Sequence, residues 1–185
     1  KMQKLVREEV LPYQYNILND AIPGIEKSHA IENIRLAAEK LRGKDVKPDE
    51  FYGMVFQDSD VAKWIEAAAY ALAAGEDPEL EKAVDETIQL YGASQHEDGY
   101  VDSYFTVKCP DKMWTNICDA HELYCAGHMM EAAVAYYEVT GKRELLDIMS
   151  KSADCIYEQF MKKNTRAYPG HPEVELALMR LWRAT

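Results

Sequence analysis

Apolar residues recur at helical spacing along almost the whole chain. Leu5, Val6, Val10, Ile17 and Leu18 predict an opening helix interrupted at Pro12, since an interior proline removes a backbone donor. His29 to Leu41 predicts a second helix, with Ser28 as N-cap and Gly43 closing it. Val61, Trp64, Ile65, Ala68, Ala69 and Leu72 form a wide apolar stripe that ends at Gly75. Pro78 then holds a first-turn position ahead of Leu80, Val84, Ile88 and Tyr91. A long helix is expected from about Thr115 to Thr140, ending at Gly141, followed by the set Leu145, Leu146, Ile148, Met149, Ala153 and Ile156. Pro172 opens a last helix through Val174, Leu178 and Leu181. One stretch departs from the rhythm. Asp98-Gly99 is a turn signal, and the aromatic and β-branched run from Tyr100 to Val107 predicts a short extended arm near residues 100–108.

The helices repeat as pairs. Tyr70-Ala-Leu-Ala-Ala-Gly75 precedes Pro78-Glu-Leu80, and Tyr136-Tyr-Glu-Val-Thr-Gly141 precedes Arg143-Glu-Leu145. Leu181-Trp-Arg-Ala-Thr185 reads as a third copy stopping just before its glycine. Helical hairpins repeated in this way stack into a solenoid or close into an α/α toroid. The fold class is therefore all-α, one helical domain over residues 1–185. The opposite connectors, Gln95 to Tyr100 and Arg166 to His171, carry histidines and aromatics, and loops on a rigid scaffold are where sites are built.

Composition narrows the partners. The 185 residues hold 21 Lys+Arg against 32 Asp+Glu, a formal charge of −11, and no basic cluster that would displace phosphate counterions from a nucleic acid. No apolar run reaches the roughly 18 residues needed to span a bilayer. Cys109, Cys118, Cys125 and Cys155 show neither a C-x-x-C pair nor a secretory framework, so free thiols are expected. No leader segment is visible, and the expected address is cytoplasmic, although Lys1 is not an initiating residue.

The most loaded stretch is His121-Glu-Leu-Tyr-Cys-Ala-Gly-His128. Spacings of four and three place His121, Cys125 and His128 on one helix face, where His121 and Cys125 are within reach of one zinc ion. His121 and His128 are roughly 10.5 Å apart along the axis, too far to chelate one ion together. The pattern is not H-E-x-x-H, and a hydrogen-bonding cavity wall with Cys125 buried is the better reading. Phe56-Gln-Asp-Ser-Asp60 precedes a helix, so Asp58 or Ser59 reads first as an N-cap. Gln57, Asp58 and Asp60 would also present acceptors to sugar hydroxyls. Gly170-His171-Pro172-Glu173 divides similarly, with Pro172 and Glu173 starting a helix and His171 free to face a cleft. Glu131, Glu138, Glu144 and Glu158 read as solvated helix faces, and Trp64, Tyr136, Tyr137 and Trp182 as core. No phosphate loop, nucleophile elbow or dinucleotide fingerprint occurs.

Several blocks resemble glycoside hydrolase family 127, the bacterial β-L-arabinofuranosidases and their close relatives. They are Gly53-Met-Val-Phe-Gln-Asp-Ser-Asp60 with Lys63-Trp64, Gln95-x-x-Asp98-Gly99-Tyr100, and His121-Glu-Leu-Tyr124 with Gly127-His128. Glu131-Ala-Ala-Val-Ala-Tyr136 and Gly170-His171-Pro172-Glu173-Val-Glu175-Leu-Ala-Leu178 complete the set, which runs in family order from about Pro12 to Thr185. The resemblance implies an (α/α)6 barrel of twelve helices followed by β-sandwich domains. This chain would supply the first six or seven helices, about the first half of the barrel.

By the same resemblance, His121 and His171 match histidines that contact the arabinofuranose, while Gln57, Asp58, Asp60 and His128 lie in the matched blocks as further sugar-binding candidates. The family's chemistry is retaining. It uses a zinc ion held by cysteines and a glutamate, a zinc-bound cysteine as nucleophile and another glutamate as acid/base, all expected beyond Thr185. Hence no catalytic residue and no metal ligand is expected among residues 1–185, and Cys125 is not given the nucleophile's role. The implied function is the sugar-binding portion of a hydrolase releasing L-arabinofuranose from terminal β-L-arabinofuranosides, inactive by itself. Its partner is then an arabinofuranose-containing glycan, with no nucleic acid and no membrane. The alternative is a non-catalytic α/α-repeat domain binding glycan or protein along a concave face, and a third option is a lyase or epimerase on the same toroid. An incomplete ring leaves an apolar edge, which predicts self-association.

Overall fold

The computed structural model describes residues 2–185, and no β-strand occurs among them. Helix α1 (Met2–Leu5) runs through a wide π turn at Val6–Val10 into α2 (Leu11–Leu18). There follow α3 (Ala30–Leu41), α4 (Asp58–Ala73), α5 (Pro78–Ala93) and α6 (Ser103–Lys108). The series ends with α7 (Glu122–Thr140), α8 (Glu144–Tyr157) and α9 (Glu173–Ala184). Helices α2, α4, α7 and α9 pack side by side as one layer, and α3, α5 and α8 pack in sequence as a second. The repeat seen in the sequence is thus an inner helix followed by an outer one.

Helix α7 is the spine of the inner layer. Leu123, Ala126, Met129, Met130, Ala132, Ala133, Val134 and Ala135 are all buried, so the helix meets protein nearly all round. Small residues let its neighbours come close. A Cβ at Gly127 would stand 2.8 Å from Glu173 Cγ and 3.0 Å from the backbone of Glu173 and Val174. On the other flank, the Trp64 indole of α4 donates to the Leu11 carbonyl at 3.1 Å and stacks on Tyr15 at 4.7 Å, which joins α2 to the layer.

Three expectations need correction. Residues 100–108 do not form an extended arm; Ser103–Lys108 is a helix. Asp102 caps it by accepting from the Phe105 N–H at 3.0 Å, and Asp58 accepts from the Ser103 N–H at 2.7 Å and from its hydroxyl. Those caps, with Phe105 and Val107 buried, override the β preference of the side chains. Pro12 does not interrupt the first helix: it follows directly on the wide π turn, whose Leu11 N–H bonds the Val6 carbonyl, and the helical backbone continues through it. The long helix starts at Glu122 rather than near Thr115. Buried Glu122 accepts from the Tyr100 hydroxyl at 2.7 Å and from the Trp114 N–H at 3.0 and 3.1 Å, which folds the preceding loop back over the helix start.

The inner layer ends in uncovered apolar side chains at both sides. Leu176, Met179 and Trp182 on α9 are exposed, as are Met2, Leu5, Val10 and Tyr13. Trp182, read as core, is 71% exposed, whereas Trp64 and Tyr136 are core.

The α7–α9 contact leads to a prediction. Gly127→Ala gains about 1 kcal/mol of helix propensity but forces the start of α9 outward, and overpacking of this kind costs about 1–3 kcal/mol. The variant should melt below the parent in thermal denaturation. A higher melting temperature would show that the two helices do not meet there.

Candidate functional site

The histidine site is built where the inner helices begin. His121 is the last residue before α7 and holds a left-handed backbone conformation at φ 62°, so its side chain leaves the helix face expected from spacing. Its Nδ1 lies 2.6 Å from the Asp119 carbonyl oxygen, which can only accept. The Nδ1 proton is therefore engaged, and in the neutral imidazole Nε2 stays free as an acceptor for a hydroxyl. Phe56 flanks the ring at 5.2 Å.

His171 arrives from the far end of the sequence. Gly170 sits so close to the Cys118 carbonyl that a Cβ there would be 2.3 Å from the oxygen, so only glycine lets the loop before α9 lie against the loop before α7. The outcome is that the His121 and His171 rings stand 5.2 Å apart. Tyr124, one turn into α7, lies among three imidazoles: His128 at 4.4 Å, His171 at 5.0 Å and His121 at 5.6 Å. His128 Nδ1 is 3.4 Å from the Glu173 carboxylate. From α4, the Lys63 ammonium reaches the Tyr124 hydroxyl at 3.1 Å and lies 3.9 Å from Asp60.

A second polar cluster lies farther along the same helices. Arg180 of α9 pairs with Glu131 of α7, and lies 3.7 Å from Glu66 of α4 and 3.9 Å from Glu138. Contrary to the solvated face its helix position suggests, Glu131 is buried and held by Arg180, and its Oε1 has no partner. Burial first, and then the Glu131 charge, push the Glu66 carboxyl above its ordinary range. Burial likewise raises Asp60, opposed by Lys63 and His128.

Of the sugar-binding candidates, His121, His171, His128 and Asp60 converge on one region. Gln57 and Asp58 do not join them. The Gln57 amide accepts from the Met54 N–H at 3.0 Å and donates to the Ser28 carbonyl at 3.2 Å, tying two loops together. Asp58 caps α6 from within the core, where burial raises its carboxyl and its charge helps raise that of Asp102. Neither Asp58 nor Ser59 caps α4, whose cap position is Gln57. The Gln95 to Tyr100 connector also turns elsewhere: Gln95 donates to the Ile148 carbonyl at 2.9 Å and His96 pairs with Thr106 at 2.9 Å. Reading residue by residue missed the parts played by Lys63, Tyr124 and Glu173. Their signal was spacing, since Asp60 and Lys63 share a face of α4, as Tyr124 and His128 share one of α7.

The two buried cysteines, Cys125 and Cys155, are poorly suited to bind a metal. Burial holds the Cys125 thiol well above its usual range and pushes Cys155 up to about 11, whereas a metal ligand is a thiolate. Among the described residues no three His, Cys, Asp or Glu side chains gather as a metal site.

The described residues form an all-helical array of α/α hairpins with a histidine-lined polar end. Residues 1–185 match the family model described as beta-L-arabinofuranosidase, GH127 catalytic domain. A non-reducing end beta-L-arabinofuranosidase of Bifidobacterium longum is 41% identical over 198 aligned residues, covering 96% of this chain and 29% of that protein. A crystal structure of a GH127 beta-L-arabinofuranosidase from Geobacillus stearothermophilus T6 superposes with a TM-score of 0.91 at 54% identity, over 100% of this chain and 28% of that one. A second GH127 beta-arabinofuranosidase structure gives 0.84 at 32% identity, over 100% and 29%. The chain belongs to glycoside hydrolase family 127. It spans less than a third of the length of these relatives.

Two half-buried imidazoles carry a pH dependence. Burial first, then Lys63, hold His128 below the ordinary histidine range, against the pull of Glu131 and Asp60; burial lowers His96 as well. Below about pH 6.5 the unfolded chain binds protons at these positions that the folded chain does not, so their share of stability falls as pH falls. The raised carboxylates act in the opposite sense, which makes a difference measurement the right one. In urea denaturation at about pH 7.5 and 5.5, the His96→Gln/His128→Gln double variant should lose less stability on acidification than the parent. Equal losses would contradict the assignment.

Proposed function

We propose that this chain forms the sugar-facing wall of a β-L-arabinofuranosidase active site, with His121 and His171 hydrogen-bonding the terminal arabinofuranosyl ring. The observation that supports it most is the meeting of these two imidazoles, 50 residues apart in sequence, at 5.2 Å on the open end of the inner layer. Neutral imidazoles suit sugar hydroxyls, because each ring offers one donor and one acceptor. His121, with Nδ1–H on the Asp119 carbonyl, offers Nε2 as the acceptor. Asp60 and His128 stand beside them, close enough to the same region to accept from further hydroxyls.

The reaction proposed for the complete enzyme is release of L-arabinofuranose from a terminal β-L-arabinofuranoside. Retention needs a positioned nucleophile and a separate acid/base. We assign neither to these residues, nor the zinc that keeps a nucleophilic thiol ionised. They are proposed to come from the remainder of the barrel, with these helices holding the sugar toward them.

The test is kinetic. In the full-length enzyme acting on a chromogenic β-L-arabinofuranoside, His121→Ala and His171→Ala should each lower kcat/KM at least fivefold. That corresponds to about 1 kcal/mol or more for a lost hydrogen bond, higher where the sugar hydroxyl is left unpaired. Parental kinetics in both variants would remove the two histidines from the site.

A further inference from the structure

We infer that Lys63 is a positioning residue of the histidine mouth: its ammonium fixes the Tyr124 hydroxyl, and the tyrosine ring in turn sets the three imidazoles packed around it. This rests on the reading of His121 and His171 as sugar-contacting groups. Lys63 stands on the second turn of α4, half-exposed, with its side chain crossing to α7. Its Nζ donates to the Ser59 hydroxyl and to the Tyr124 hydroxyl, both at 3.1 Å. The same nitrogen is 5.1 Å from the Tyr124 ring centroid, much farther than from the oxygen, so it addresses the hydroxyl rather than the ring face. A charge-assisted bond of this kind is stronger and more directional than a neutral one. It ties the hydroxyl end of the ring to α4, while the ring itself packs among the imidazoles.

What depends on that ring is the geometry of the site. Tyr124 meets His128 edge-on at 85°, His121 edge-on at 87° and His171 at 47°. Among the described residues, no other aromatic ring contacts imidazoles from both loops and from α7 at once. Ser59, at the other end of the Lys63 bridge, is fully buried, so the anchor is rigid. A residue chosen only for surface charge would not be tied to a core hydroxyl and a site hydroxyl together.

The lysine also places a positive charge within the histidine group. Groups facing His128 are Asp60 and Lys63 from α4, Tyr124 and Glu131 from α7, and His171 with Glu173 at the start of α9. Among them Lys63 and His171 disfavour the imidazolium, whereas Glu131 and Asp60 favour it. Removing the ammonium therefore lets His128 take up a proton at higher pH than in the parent.

The experiment uses the full-length enzyme with a chromogenic β-L-arabinofuranoside, and histidine NMR titration of the same proteins. Lys63→Met should raise KM roughly five- to twentyfold with a smaller change in kcat, as expected for one lost charge-assisted bond acting through a neighbour. The His128 titration should move to higher pH in Lys63→Met and stay near the parental value in Lys63→Arg. Should Lys63→Met fold poorly, Tyr124→Phe keeps the ring, removes the acceptor and should reproduce the KM rise. The double variant should then lose no more than the worse single one. Parental KM and an unmoved His128 titration in Lys63→Met, with His121→Ala and His171→Ala impaired, overturn the role of Lys63 alone. Parental kinetics in the two histidine variants overturn the sugar site beneath it. Additive losses in the double variant overturn the bridge.

Discussion

The site depends on how closely α9 approaches α7. Gly127 leaves room for the backbone of Glu173 and Val174 to lie against the second turn of α7, and a side chain there would fill that room. Because the start of α9 is held at that depth, Glu173 comes to His128 and the preceding loop reaches the Cys118 carbonyl. Gly170 then lets that loop settle, and His171 meets His121. Two glycines thus convert a packing contact between inner helices into a pair of imidazoles on one mouth. Neither glycine touches the mouth itself.

Beneath the mouth the inner helices are joined by charge rather than by apolar contact alone. Arg180 gathers buried Glu131 and half-buried Glu66 from the two other helices, two carboxylates against one guanidinium. Buried charges are expensive unless paired, and breaking such a pair costs more than the pair contributes. Burial, and after it the neighbouring Glu131 charge, raise the Glu66 carboxyl against the pull of Arg180. Above it, a single lysine lies among two carboxylates, Asp60 and Glu173, a tyrosine and three imidazoles, so no basic cluster forms at the mouth. That is the electrostatic character a neutral sugar requires, and it is unlike the basic surface that phosphate recognition would need.

Much of this was legible in the chain. The helical period, the paired hairpins and their order follow from apolar spacing, because tertiary packing in an all-α domain reinforces local pattern. The histidines His121 and His171 were legible as candidates through their motifs. What could not be read was the work of side chains acting at long range. Asp58 caps a helix 45 residues away, which turned an aromatic, β-branched run helical and took Asp58 away from the sugar candidates. Glu122 fastens the Trp114 loop, so His121 leaves the helix instead of lying in line with Cys125 and His128. Glu131 looked solvated on its own helix and became buried once Arg180 arrived from α9. Each of these is a contact between distant segments, where one-dimensional spacing carries no information.

The most direct test of the central claim is a crystal structure of the full-length enzyme with L-arabinose bound. The sugar should lie against the Tyr124 ring with hydroxyls within hydrogen-bond distance of His121 Nε2 and the His171 imidazole. A sugar found instead only in the groove of about 890 Å³ beside Arg7, Pro12 and Tyr70, or away from both histidines, would contradict the account.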